Sequence, residues 1–141
     1  MIHTTSIGQV MRTQVNTVKP HDTLLRVDEI FRNNPIHHLP VVDDDGKVVG
    51  MISKTDYCLV QDTFTIFRLK DAERINKDIF RSLLVSEVMS KPVVTRSPED
   101  TIASAVDIFR ENRFHALPVV NAKKQLVGIV SVFDLLGLPV L

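Results

Sequence analysis

Chemistry in this chain is most readily placed on a string that occurs twice, a serine followed three residues later by an aspartate: Ser53 with Asp56, and Ser131 with Asp134. A histidine lies upstream of each, His37 and His115, whereas His3, His21 and His38 carry no comparable signal. Taken singly, each aspartate fits the first turn of a helix, where the dipole favours a carboxylate, and each serine fits an N-cap. Catalytic groupings are missing: there is no Gly-x-Ser-x-Gly, no Cys/His pair at a plausible spacing, no His-Glu-x-x-His and no Walker-type phosphate loop. Cys58 is the single cysteine and has no histidine or second cysteine near it in sequence, so it reads as a small buried apolar residue. The run Asp43-Asp44-Asp45 lacks the further spaced ligands of a calcium loop and reads as a solvated turn.

The doubled string belongs to a doubled chain. Sliding the sequence on itself by 78 positions places Val10-Met11 on Val88-Met89, and Val15, Thr17 and Pro20 on Val93, Thr95 and Pro98. Asp22-Thr23 falls on Asp100-Thr101, Ile30-Phe31-Arg32 on Ile108-Phe109-Arg110, and Leu39-Pro40-Val41-Val42 on Leu117-Pro118-Val119-Val120. Roughly 50 residues align without a gap, and about two-fifths of them are identical, which marks a true internal repeat.

Each copy has the same elements. Val15–Val18 and Val93–Thr95 are short β-prone runs, and Asp22 or Thr23, like Asp100 or Thr101, supplies an N-cap oxygen. Leu24, Val27, Ile30 and Phe31 then recur at helical spacing, as do Ile102, Ala105, Ile108 and Phe109. A hairpin follows: Leu39–Val42 and Val48–Ile52 about the turn Asp43–Gly46, and Leu117–Val120 and Leu126–Val130 about Asn121–Lys124, which lacks glycine. Pro40 and Pro118 cannot donate to a ladder, which assigns each to a strand start or an edge. A second helix should begin near Ser53 and near Ser131. Residues 61–83 read as a largely helical linker with one apolar side, separating repeat 1 (residues 1–60) from repeat 2 (residues 84–141). One such unit buries too little apolar surface to stand alone, so two units related by a pseudo-two-fold axis, sheet packed to sheet, are expected to share a core.

Bulk properties narrow the function classes. Hydrophobic residues are 44% and charged residues 24% of the 141-residue chain, the balance of a globular protein. Lys+Arg and Asp+Glu are both 17, which removes the broad positive field that drives nucleic-acid binding. The first residues lack the pattern of a signal peptide, and no apolar run approaches the roughly 18–20 residues of a spanning helix. With one cysteine and no possible internal disulfide, a cytoplasmic location is expected.

The aligned residues resemble the CBS domain, named after cystathionine β-synthase, of which two in tandem form a Bateman module. His37-His38-Leu39-Pro40-Val41-Val42 with Gly50-Met51-Ile52-Ser53-Lys54-Thr55-Asp56 carries the resemblance in one copy. His115-Ala116-Leu117-Pro118-Val119-Val120 with Gly128-Ile129-Val130-Ser131-Val132-Phe133-Asp134 carries it in the other. The resemblance implies an α+β fold of two βαββα units flanked by helices, with clefts between the repeats that bind AMP, ADP, ATP or S-adenosylmethionine. It implies Asp56 and Asp134 on the ribose hydroxyls, Ser53 and Ser131 near phosphate, and Thr17 and Thr95 lining the adenine–ribose region. The chemistry suits those roles: a carboxylate accepts two hydrogen bonds from a vicinal diol, and a helix N-terminus favours an anion. His37 and His115 match a histidine that meets phosphate in the γ subunit of AMP-activated protein kinase, each serving the other copy's cleft. The arginine that follows it there is replaced by His38 and Ala116, so two similar but non-equivalent sites are expected. The resemblance further implies a non-catalytic regulatory module with no required cofactor or metal. A homodimer acting on a further protein target is expected, with no membrane and no nucleic-acid partner. The alternatives are a ligand-free dimerisation or docking module and, ranked below it, a DNA- or RNA-associated regulator.

Overall fold

The computed structural model describes residues 4–55, 57–58, 78, 81–91 and 93–137. In chain order these form a 3-10 turn (Ile7–Gln9), α1 (Leu24–Asn33), β1 (His38–Val42), β2 (Val48–Ser53), α2 (Val85–Val88), α3 (Ile102–Arg110), β3 (Ala116–Val120), β4 (Leu126–Ser131) and α4 (Val132–Leu136). The α+β class follows, with two two-stranded sheets, β1–β2 and β3–β4, one in each repeat. Most of the linker expected at residues 61–83 lies outside the described residues; positions 78, 81 and 82 of it are helical.

The helices start where their caps dictate. Thr23 and Thr101, not the preceding aspartates, hold the N-cap positions, and Thr101 Oγ1 accepts from the Ser104 N–H at 3.3 Å. Asp22 and Asp100 instead close the preceding turn, each accepting at 2.8 Å a backbone N–H from three residues back, Lys19 and Ser97. The helical spacing then buries Leu24, Val27, Ile30 and Phe31 on one side of α1, and Ile102 and Ala105 on one side of α3.

Proline sets where strand pairing stops. The β-prone runs before the helices form no strand; each contributes one parallel bridge, Val18 to Val41 and Arg96 to Val119. Val18 donates to the Pro40 carbonyl at 3.2 Å and accepts from Val42 at 2.9 Å, and Arg96 does the same with Pro118 and Val120. A further parallel step toward the N-terminus would need an N–H from Pro40 or Pro118, and one toward the C-terminus an N–H from Pro20 or Pro98. None exists, so the ladder ends after one bridge. Pro40 and Pro118 therefore stand mid-strand rather than at a start. Each lies on the side of its strand where pairing is a single bridge, so the missing donor costs the hairpin nothing.

The two turns converge despite different residues. Gly46 has φ 81° and Lys124, its counterpart, has φ 68°. Asn121 compensates for the missing glycine: its side-chain oxygen accepts from the N–H groups of Lys123 (2.9 Å) and Gln125 (3.0 Å).

The chain divides into two compact units that cut across the repeats. One comprises Met1–Val15, Asp45–Val48 and Val94–Leu141, the other Asn16–Asp44 and Val49–Val93. The segment leading into each repeat thus packs in the unit that holds the other repeat's helix. In the first unit Ile7 donates to the Asp100 carbonyl (2.8 Å), Gly8 to Pro98 (2.9 Å) and Ile102 to Thr5 (2.9 Å). The second unit repeats the pattern with Val85 to Asp22 (2.8 Å), Ser86 to Pro20 (2.9 Å) and Leu24 to Leu83 (3.0 Å). Ile7 and Val85, at matching positions, are both fully buried.

Each unit has its own cluster of buried side chains. The first is built on Ile7, Ala105, Leu117, Val119 and Val130. The second includes Val18, Leu24, Val27, Phe31, Leu39, Val41, Ile52, Tyr57 and Val85. It also contains Asp28, 8% exposed, which accepts a hydrogen bond from the Tyr57 hydroxyl and lies 2.9 Å from Arg32 Nε. Burial pushes the Tyr57 phenol well above its ordinary range, and the bond to Asp28 adds to the shift. Tyr57 also packs against Phe31 with ring centroids 5.5 Å apart. The matching positions of the other repeat hold Val106 and Leu135, so a polar pair in one copy is an apolar pair in the other.

The hydrogen bond couples Asp28 and Tyr57 energetically. Asp28→Val alone removes the acceptor of a buried hydroxyl and should destabilise the protein by about 1–3 kcal/mol. The double variant Asp28→Val/Tyr57→Leu should lie above the sum of its single variants by roughly 1 kcal/mol or more in denaturant unfolding. Strict additivity would show that the two side chains do not depend on each other.

Candidate functional site

The described unit that contains Ser131 shows how the sequence builds the expected corner. Strand β4 ends at Ser131 in extended conformation (φ −116°, ψ 163°), and α4 begins at the next residue. The Ser131 N–H donates to Asp134 Oδ2 at 2.9 Å, and Ser131 Oγ accepts from the Asp134 N–H at 3.1 Å. This reciprocal pair is a capping box. The three-residue spacing of the string is therefore first a structural device: it ends the strand, starts the helix and fixes the carboxylate's rotamer.

The other carboxylate oxygen is engaged by a residue that the motif does not contain. Arg12 Nε donates to Asp134 Oδ1 at 2.8 Å, from 122 positions away in sequence. The Asp134 side chain is 9% exposed and that of Arg12 57%. Arg12 is set in place by its backbone, which donates to the Ile129 carbonyl at 2.9 Å and accepts from the Ile129 N–H at 3.0 Å. The neighbouring residues allow this close approach. A Cβ on Gly128 would lie 2.9 Å from the Arg12 carbonyl oxygen and 2.5 Å from Met11 Sδ, inside any tolerable contact. Gly50 is closed off in the same way by Met89, and Met51 and Ser90 exchange hydrogen bonds of 3.3 and 2.8 Å. Ser90 is thus the counterpart of Arg12, and one corner has a cation where the other has a hydroxyl.

A carboxylate has roughly four acceptor positions, of which the Ser131 N–H and Arg12 take two, leaving two for a diol. Beside it, the backbone N–H of Val132 is already used, donating to the His115 carbonyl at 3.0 Å. In the other unit Lys54 donates to the His37 carbonyl at 2.7 Å. Each histidine is thereby held next to the Ser-x-x-Asp string of its own repeat by its backbone, with its side chain exposed. Ser53 ends β2 and is half-buried, as its counterpart Ser131 ends β4. Asp56 lies outside the described residues. Thr17 and Thr95 are both half-buried, each one residue ahead of a bridging residue, Val18 and Arg96, and each is in the unit of its own repeat's helix.

The structure therefore brings together Ser131, Asp134 and the backbone of His115, and adds Arg12. Sequence reasoning missed Arg12 because nothing in the repeat alignment says that the leading segment crosses to the other copy. The one available signal was the unmatched charge, arginine at position 12 against serine at position 90. Among the described residues there is no group of three or more metal-ligating side chains, and no helix long and apolar enough to cross a membrane.

Gly128→Ala tests the seat on which this corner depends. The added methyl must push the segment Met11–Arg12 off β4, with an expected loss of about 1–3 kcal/mol in denaturant unfolding. Unchanged stability would show that the close approach carries no weight.

The family model for the CBS domain matches residues 7–60 and again residues 85–140. Inosine-5'-monophosphate dehydrogenase from Mycobacterium tuberculosis is 31% identical over 135 residues, 95% of this chain but 22% of that enzyme. The chain thus spans about a fifth of the length of the curated dehydrogenases it matches. Among solved structures, the CBS domain of a CBS domain-containing membrane protein from Sphaerobacter thermophilus superposes with a TM-score of 0.79 at 32% identity, covering 99% of this chain and 90% of that one. CBSX2 from Arabidopsis thaliana, solved in complex with AMP, gives 0.74 at 24% identity, covering 94% and 93%. The CBS domain pair of the protein MJ0100, solved with 5'-methylthioadenosine and S-adenosyl-L-methionine, gives 0.71 at 21% identity, covering 93% and 92%. The chain belongs to the CBS domain family, with two CBS repeats.

Proposed function

We propose that this CBS pair is a non-catalytic regulatory module that binds an adenosine-containing ligand and passes the change of state to a protein partner. The observation that carries the reading is the Ser131–Asp134 corner. Its carboxylate is locked by a capping box yet retains acceptor positions suited to a ribose diol. The AMP complex of CBSX2 and the S-adenosyl-L-methionine complex of MJ0100 support the ligand class, as complexes of proteins with the same fold. In this reading Asp134 and Asp56 each take a ribose, Ser131 and Ser53 lie near phosphate, His37 and His115 each meet phosphate in the other copy's cleft, and Thr95 and Thr17 line the adenosyl group. Candidate ligands are AMP, ADP, ATP and S-adenosylmethionine. A ligand held differently in two arrangements of the protein shifts their populations, which is what a partner can read.

Calorimetry with these four compounds tests the reading, and Asp134→Asn, which keeps the side chain's shape, tests the residue. Binding of at least one compound is expected, with Asp134→Asn abolishing one site and Asp56→Ala the other. No heat and no thermal shift with any of them at millimolar concentration would reject the ligand class. Unchanged stoichiometry in the double variant would reject the residues.

A second reading, a module whose task is self-association or docking, draws support from α4. Phe133 and Leu136 stand one helical turn apart and are 77% and 76% exposed. Sedimentation of the wild type and of Phe133→Ser/Leu136→Ser separates the two. A homodimer that the double variant converts to monomer supports pairing through this helix. A monomer at concentrations well above micromolar counts against it.

A further inference from the structure

We infer that Arg12 is a ligand-binding residue of the Asp134 corner and that it selects a phosphate-bearing adenosyl ligand over a cationic one. The inference rests on the adenosyl reading above and goes further, because it names the charge of the ligand and makes the two sites chemically different.

The side chain's own bonding carries the argument. Nε is committed to Asp134 Oδ1 at 2.8 Å, and no described residue accepts from the two terminal nitrogens of the guanidinium. The planar fork therefore presents unused N–H groups beside the carboxylate that is to hold the ribose, the donor geometry that matches phosphate oxygens. The position is not that of a surface arginine free to wander. Its backbone is bonded in both directions to Ile129, and Met11 beside it is locked against Gly128. The guanidinium is thus based beside Asp134 and tied to it through Nε.

Charge then decides the ligand. Asp134 by itself attracts cations, and paired with Arg12 the corner is neutral, with its exposed side positive. An adenosyl sulfonium brought to that side meets a like charge, whereas a nucleotide phosphate meets a complementary one. The matching place in the other repeat is occupied by Ser90, which offers no charge. The other corner is expected to discriminate less between the same ligands.

The test uses the full chain with Asp56→Ala to leave one site, and compares Arg12 with Arg12→Ser, the residue of the other repeat, and with Arg12→Lys. Adenosine, AMP and S-adenosylmethionine are titrated by calorimetry, and thermal melts confirm that every variant folds. Arg12→Ser should weaken AMP about fivefold, the scale of a partly exposed charge pair, leave adenosine within about twofold, and narrow the preference for AMP over S-adenosylmethionine. Arg12→Lys should fall between, and the AMP effect should shrink as salt is raised. Equal changes for AMP and adenosine would overturn the inference, since Arg12 would then act only through Asp134. Tighter binding of both in Arg12→Ser would also overturn it, showing Arg12 to be a competitor for the carboxylate. Binding of none of the three by the parent would remove the adenosyl reading, and the inference with it.

Discussion

Two backbone hydrogen bonds, between Arg12 and Ile129, hold the Ser131–Asp134 corner together. They attach the start of the chain to the outer edge of β4, and the absence of a side chain at Gly128 lets the strands come close enough to form them. From that seat Arg12 reaches the carboxylate that caps α4, so the edge pairing, the cap and the ion pair form one connected set. The same pairing recurs between Ser90 and Met51 beside Gly50. The exchange of leading segments is thus a property of the fold, while the charge at its tip belongs to one copy.

This arrangement explains why a repeat of such modest size folds. Neither leading segment is long enough to make structure alone, yet Ile7 and Val85 are completely buried at the base of the other repeat's helix. Each unit is completed by residues that sequence order assigns to its neighbour. Pairing that is cut to one bridge by prolines on both sides leaves Val18 and Arg96 as single contacts. The leading segments pair at the opposite edge of each hairpin, Arg12 with Ile129 on β4 and Ser90 with Met51 on β2.

Much of the fold was legible in the residues because its signals are local. The helix caps at Thr23 and Thr101, the apolar spacing of Leu24 to Phe31 and the paired hairpins depend on neighbours a few positions apart, and the repeat shows each signal twice. Three features were not legible, for distinct physical reasons. The crossing of the leading segments is a long-range choice that no periodicity encodes. The truncation of the first strands requires knowing which N–H each proline removes from which ladder, which depends on register. Lys124 at positive φ was hidden because the compensating bonds come from Asn121, a side chain rather than a backbone preference. For the candidate site, the string identified Ser131 and Asp134. Arg12 joins them only through the tertiary crossing.

In the proposed function, Asp134 receives the ribose of an adenosyl ligand. A crystal structure of the protein grown with AMP tests it most directly. The ribose hydroxyls are expected within hydrogen-bond distance of the Asp134 carboxylate, with the cap from Ser131 intact. A ribose bound elsewhere, with the Asp134 carboxylate still engaged only by Ser131 and Arg12, would contradict it.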